Sequence, residues 1–194
     1  MKIDLSRKNL TTSDLRAELQ RLDLAEVTVL DLSYNNLSTL PPEIGQLTNL
    51  QYLDFWGNNL STLPPEIGEL KSLQKLFLCS NELMDLPPEI VQLTSLQWLY
   101  FSRNQLINLP PEICQLTSLR QLYLGRNQLS QLPPEICELK SLEKLYLQYN
   151  RLTSLPYEIG KMTNLRFLDL GNNHLTIRPH EVSELEKAGL MVLF

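Results

Sequence analysis

Residues 96–118 read LQWLYFSRNQLINLPPEICQLTS, and the rest of the chain repeats them. Leu96, Leu99, Phe101, Asn104, Leu106, Leu109, Pro110, Ile113 and Leu116 are the fixed points. The same residue types stand 23 positions earlier, from Leu73 to Leu93, and 23 positions later, from Leu119 to Leu139. The unit runs from Val27 to Lys187 in seven copies, out of 194 residues. Repetition at this period marks a solenoid, in which no unit can bury its apolar face alone and neighbours stack to do so.

Each copy has one anatomy. Its LxxLxL part predicts a short strand whose two central apolar residues point inward by the period-two rule. Eight or nine such strands, stacked in parallel about 4.8 Å apart, make one curved sheet. Asn35, Asn58, Asn81, Asn104, Asn127, Asn150 and Asn173 fall where the chain turns inward. Their amides can pair backbone groups that a buried turn would leave unpaired, so they are read as structural. LPPEI follows, with Pro-Pro pairs at 41–42, 64–65, 87–88, 110–111 and 133–134 and single prolines at 156 and 179. Proline fixes φ at the entry to a short helical segment. The glutamate after it (Glu43 in the first copy, Glu181 in the last) meets free N–H groups there. These seven glutamates are expected to form a solvated outer ladder, spread apart by the curvature.

The two ends depart from the pattern. Residues 1–26 read as a cap: Ile3 and Leu5 alternate as a strand, and Thr12 or Ser13 can cap a helix beginning near Asp14. Leu15, Leu19 and Leu22 share one face of it. LSRKNL at 5–10 echoes LSYNNL at 32–37, but Lys8 stands where Asn35 does. In the last copy Arg178 takes the place of a core leucine, and Ala188, Met191 and Leu193 fit a partial terminal strand over 188–194. All of this reads as one solenoid domain.

Composition narrows the function. A net charge of −5 disfavours non-specific binding to nucleic acid or an anionic membrane. No apolar run approaches the roughly 20 residues of a membrane span, and MKIDLSRKNL lacks the apolar stretch of a secretory signal. Phosphate-loop, dinucleotide, nucleophile-elbow, zinc-protease and CxxC signatures are absent from the sequence. With His174 and His180 as the two histidines, Cys79, Cys114 and Cys137 are read as buried, reduced thiols rather than metal ligands. Cys114 and Cys137 share the repeat position of Gly45, Gly68, Val91 and Gly160. No catalysis, cofactor or metal is expected, and the chain is expected to be monomeric.

The LxxLxLxxNxL pattern followed by LPPEI resembles leucine-rich repeats of the 23-residue intracellular class. That resemblance implies an α/β fold: a right-handed curved horseshoe with a parallel concave sheet and a short 3-10 or helical convex side. It also implies protein binding. Similar repeats occur in Ras-binding scaffold proteins, in plant Ras-group-related proteins and in front of the GTPase domain of Roco proteins. Extracellular members usually carry terminal cysteine clusters, which this sequence lacks, so a reducing, cytoplasmic setting is expected.

The positions that the repeat leaves free carry the functional signal. The column beside the second leucine holds Phe77, Tyr100, Tyr123 and Tyr146, flanked by Asp31, Asp54 and Asp169. The column before that leucine holds Tyr52, Trp98 and Phe167, and positions beyond it add Tyr34, Trp56, Arg103, Arg126 and Tyr149. Ten of the fourteen aromatics are therefore expected on the concave face, with a local charge of +2 from cations that include Lys75, Arg120, Lys144 and Arg166. Tyrosine, tryptophan and arginine are the residues enriched at interface hot spots. The expected site is Tyr52, Trp56, Phe77, Trp98, Tyr100, Arg103, Tyr123, Arg126, Tyr146 and Tyr149, facing a protein or peptide with an acidic or phosphorylated element. The plainer reading of the tyrosine column is that its rings serve mainly to pack one another. Two alternatives stand beside protein binding by a self-contained module. One is the sensor region of a larger signalling enzyme, such as a Roco-type GTPase. The other is single-strand nucleic acid or sugar binding on stacked rings, which the net acidity opposes.

Overall fold

A computed structural model describes residues 1–194. Nine strands of three residues each form one parallel sheet in sequence order. They are β1 (Lys2–Asp4), β2 (Val29–Asp31), β3 (Tyr52–Asp54), β4 (Lys75–Phe77), β5 (Trp98–Tyr100), β6 (Gln121–Tyr123), β7 (Lys144–Tyr146), β8 (Phe167–Asp169) and β9 (Met191–Leu193). The middle residues pair in register: Leu30, Leu53, Leu76, Leu99, Leu122, Leu145 and Leu168 form one fully buried row. Phe55 and Phe101 take leucine positions in the next buried row, and a single apolar core runs the length of the solenoid.

The opposite side is built from five-residue 3-10 segments: Pro42–Gln46, Pro65–Glu69, Pro88–Gln92, Pro111–Gln115, Pro134–Glu138 and Tyr157–Lys161. Each begins after a proline in extended conformation, and Ile44 and its equivalents fill the core beneath. The glutamate ladder is less solvated than its pattern suggests. Glu112 and Glu135 are exposed, but Glu43, Glu66, Glu89, Glu158 and Glu181 are half-buried against the neighbouring coil. The Arg16 guanidinium reaches Glu43 at 3.3 Å.

Asparagine side chains tie one coil to the next. Asn104 Oδ1 accepts the Leu83 N–H of the preceding coil at 3.0 Å. Its Nδ2 donates to Leu78 O, also in the preceding coil, at 2.9 Å, and to Phe101 O of its own coil at 3.1 Å. Asn58, Asn81, Asn127, Asn150 and Asn173 repeat these three bonds. Asn35 bonds into the cap through the Lys8 and Leu10 N–H groups. The residue before each asparagine is driven into the left-handed region: Tyr34, Ser80, Arg103, Arg126, Tyr149 and Asn172 have φ of 55–58°, and Gly57 has φ of 69°.

Both end coils differ from the simple repeat. The first is longer, with Ile3 pairing Leu30, because it holds helix α1 (Thr12–Leu19) and a short 3-10 turn at Leu24–Glu26. The cap of α1 is Thr11, one residue before the expected Thr12. Thr11 and Asp14 form a reciprocal capping box, which Thr12 and Ser13 lack the spacing to make. Leu15 and Leu19 are buried, while Leu22 lies past the helix end and is half-buried. At the other end, helix α2 (His180–Lys187) replaces the 3-10 segment. Leu168 therefore pairs with Val192, one residue beyond the 23-residue step. That extra residue inverts the expected terminal pattern. Leu190 is buried and Val192 half-buried, while Ala188, Met191 and Leu193 are exposed. Arg178, in the leucine position, turns outward to Glu186 at 3.1 Å and lies over the Phe194 ring.

Cys79, Cys114 and Cys137 are buried free thiols. Burial pushes the Cys79 thiol up to about 11 and the Cys114 thiol up to about 12, from the usual 9.0. Unfolded thiols lose their protons near 9 and the folded ones later, so the unfolded state holds fewer protons in between. Stability from these two groups is complete below pH 9 and is lost as pH rises through 11 and 12. Thermal melts from pH 8 upward should fall less steeply for a Cys79→Ala, Cys114→Ala variant than for the wild type. Thiol titration without reductant should find no reactive group in the native protein and three after unfolding.

Leu122→Ala should cost about 2–5 kcal/mol through lost burial and a cavity. Asn104→Ala, which leaves Leu83 N–H unpaired and takes one of two amide donors from each of Leu78 O and Phe101 O, should cost about 1–3 kcal/mol. Urea denaturation measures both. An Asn104→Ala protein as stable as wild type would contradict the linking role.

Candidate functional site: the concave face

The short strands leave two positions per coil, on either side of the buried leucine, facing outward. In β4 to β7 the second of these is Phe77, Tyr100, Tyr123 or Tyr146, and the parallel register sets the rings directly above one another. They stack at 4.5, 4.1 and 4.2 Å between centroids, with interplanar angles of 9–15°. This is closer than the ordinary strand spacing of about 4.8 Å, as expected on the inner arc of a curved stack. Tyr52 and Phe167 close the row from the neighbouring column, each tilted and 4.9 Å from the last ring. Trp98 meets Tyr100 edge-on at 6.5 Å, and the Lys75 ammonium lies 3.8 Å over the Trp98 ring.

These rings are half-buried, chiefly by one another. Burial and the neighbouring phenols Tyr100 and Tyr146 raise the Tyr123 pKa well above the ordinary tyrosine value. Burial, then Asp54, does the same to Tyr52, whose hydroxyl donates to Asp54 Oδ2 at 3.1 Å. The Asp54 carboxyl is itself shifted upward by burial. Ring packing, the plainer reading of the tyrosine column, is thus physically present.

The other expected site residues form a separate, more exposed row just past the strands. Trp56, Arg103, Arg126 and Tyr149 are exposed, as is Tyr34. All but Trp56 occupy the left-handed position before the asparagine. The Arg126 guanidinium lies 4.2 Å over the Tyr149 ring, and Arg7 lies 4.3 Å over Tyr34. Arg120 is held by Glu143 at 3.3 Å across adjacent coils. The expected residues therefore form two adjoining sets, a stacked floor and an exposed cationic and aromatic border. Lys75, which the sequence reading counted only as a charge, joins the floor by covering Trp98.

A feature absent from the sequence reading lies on the convex side. A cleft of about 540 Å³ opens between Pro111–Thr117 and Glu135–Lys140, with Cys114 at its wall. In earlier coils glycine lets the 3-10 segments close up: a Cβ on Gly45 would come within 2.8 Å of Glu66 O, and one on Gly68 within 2.7 Å of Glu89 O. Cys114 has a side chain at this position and lines the cleft, but Cys137 has one too and leaves a gap of only about 30 Å³ to the next coil. No group of three histidine, cysteine or acidic side chains is placed to hold a metal ion. No helix is long and apolar enough to cross a membrane.

Comparison with known proteins gives the same architecture. Residues 17–106 match the family model of a leucine-rich repeat region, residues 117–175 that of the leucine rich repeat, and residues 94–135 that of a two-copy leucine rich repeat. No curated protein matches the chain. Among solved structures, a leucine-rich repeat protein of Leptospira interrogans is 42% identical with a TM-score of 0.73, covering 95% of this chain and 52% of that one. An internalin of Listeria monocytogenes is 27% identical with a TM-score of 0.75, covering 88% and 48%. The Arabidopsis receptor kinase HAESA, solved with a peptide hormone and a co-receptor, is 34% identical with a TM-score of 0.67, covering 76% and 26%. The chain thus spans about half or less of the length of these structures. From the asparagine-linked coils to these matches, the chain belongs to the leucine-rich repeat proteins.

Proposed function

We propose that this solenoid is a protein-binding module. Its concave face grips a protein or peptide bearing an acidic or phosphorylated element, and no chemistry is assigned to it. The observation that carries this reading is the choice of side chains at the left-handed turn. Glycine occupies that position freely, as Gly57 does, whereas other residues pay roughly 1–2 kcal/mol there. Arg103, Arg126, Tyr34 and Tyr149 are held in that conformation, exposed, beside a rigid aromatic floor. Strain kept at a cluster of hot-spot residue types points to use of those side chains. The HAESA complex, in which a related solenoid is solved with a peptide hormone, supports a peptide-sized or larger partner. The three reduced, buried thiols support a reducing, cytoplasmic setting.

Arg103→Glu with Arg126→Glu should change stability by no more than about 0.5 kcal/mol and abolish capture of the partner. Tyr123→Ala should weaken capture without changing its salt dependence, because it removes area rather than charge. Pull-downs at two salt concentrations, with a melt on each variant, separate these effects. A charge-reversed protein that folds normally and still captures every wild-type partner would exclude the concave face. Arg103→Gly should be more stable than wild type by up to about 1 kcal/mol yet bind less well, since it relieves the backbone and deletes the side chain.

A further inference from the structure

The middle of the concave face differs from its ends in which backbone groups are already occupied. On β1, β2, β3 and β8 the residue after the inward one is an aspartate whose Oδ1 accepts the N–H two residues on. Asp4 takes Ser6 at 3.0 Å, Asp31 takes Ser33 at 2.9 Å, Asp54 takes Trp56 at 2.8 Å and Asp169 takes Gly171 at 3.0 Å. On β4 to β7 the same position holds Phe77, Tyr100, Tyr123 and Tyr146, whose rings stack along the sheet and do not fold back. The N–H groups of Cys79, Gly125 and Gln148 have no acceptor in the protein.

Backbone donors without a protein acceptor are uncommon, and these stand at the position whose N–H meets an aspartate in the flanking coils. Gly125 lies in the coil of Arg126, and Cys79 in the coil next to that of Arg103. The Gln148 carboxamide lies against Gly125 with its Oε1 unpaired. A half-turn of that group exchanges the oxygen for Nε2 and adds one more donor. Amide donors and guanidinium groups together select an anion. The flanking coils show which anion this backbone accepts: the carboxylate of an aspartate.

We propose that the central coils bind an aspartate- or glutamate-rich extended segment of a partner protein. Its carboxylates dock on the Cys79, Gly125 and Gln148 amides as Asp31, Asp54 and Asp169 dock on theirs. This rests on the reading of the concave face as the binding surface and adds the chemistry of the partner.

The probe is fluorescein-labelled octa-aspartate, read by anisotropy. Tyr123→Asn removes the ring and supplies an uncharged oxygen that can cap Gly125, as Asp54 caps Trp56. Tyr123→Ala removes the ring and leaves Gly125 open. The asparagine variant should bind about tenfold more weakly than the alanine variant, the worth of one charge-assisted hydrogen bond. In wild-type protein the Gly125 and Gln148 amide protons should move downfield as octa-aspartate is added, and the Gly125 proton should not move in Tyr123→Asn. A glycine-phosphoserine peptide of equal net charge should bind more weakly than octa-aspartate, and tighter binding would overturn carboxylate docking. Equal affinities of the two Tyr123 variants, with the amide protons unmoved, would also overturn it. If Arg103→Glu, Arg126→Glu still abolishes binding in that case, the concave reading stands and only the amide docking falls. Undiminished binding by the charge-reversed protein overturns both.

Discussion

A primary amide, placed once per coil, is the constraint on which the rest of this structure depends. Three-residue strands are too short to hold a sheet in register by themselves, and the chain must turn sharply inside the protein after each one. The asparagine carboxamide has two donors and an acceptor with the geometry of a peptide group. It replaces the backbone partners that the turn removes. In doing so it pins the preceding residue in the left-handed region, and that residue is where the solenoid displays its exposed arginines and tyrosines. Core, turn and candidate surface are thus set by one interaction.

The two sides of the coil respond differently to a change of residue. On the concave side, register brings equivalent side chains within ring-stacking distance, so a tyrosine in one coil favours a tyrosine in the next. On the convex side, closeness depends on having no side chain at all. Gly45 and Gly68 let backbone meet backbone, while the buried Cys114 lines a cleft.

Most of the fold was legible because the period is strict. Leu99, Asn104 and Ile113 each recur at the same offset, and one correct assignment fixes all the others. Where the period slips, the reading fails. The extra residue between Leu168 and Val192 is invisible in a pattern that accepts Met191 and Leu193 as equally apolar, because α2 takes up the additional length. The cap was one residue off, since Thr11, Thr12 and Ser13 are all able to cap and only the distance to Asp14 discriminates. The candidate site was legible as a list of side chains, but its division was not. That Tyr100 and Tyr123 are packed while Arg103 and Tyr149 are exposed depends on where a strand ends. The aspartates at 31, 54 and 169 looked like surface charge, whereas their bonds to the backbone two residues on make them part of the turn.

The asparagine bonds also give the solenoid a direction. Every one of them reaches back: Asn104 completes Leu83 and Leu78, which precede it, and Asn127 in turn completes Leu106 and Phe101. A coil is therefore not finished by its own residues but by its successor. During synthesis, each turn emerging from the ribosome must wait about one repeat length for its last polar groups to be paired. In the folded chain, removing one coil uncovers the backbone of the one before it. The coils are less a stack of equal discs than a row of overlapping tiles, each laid over the one before it.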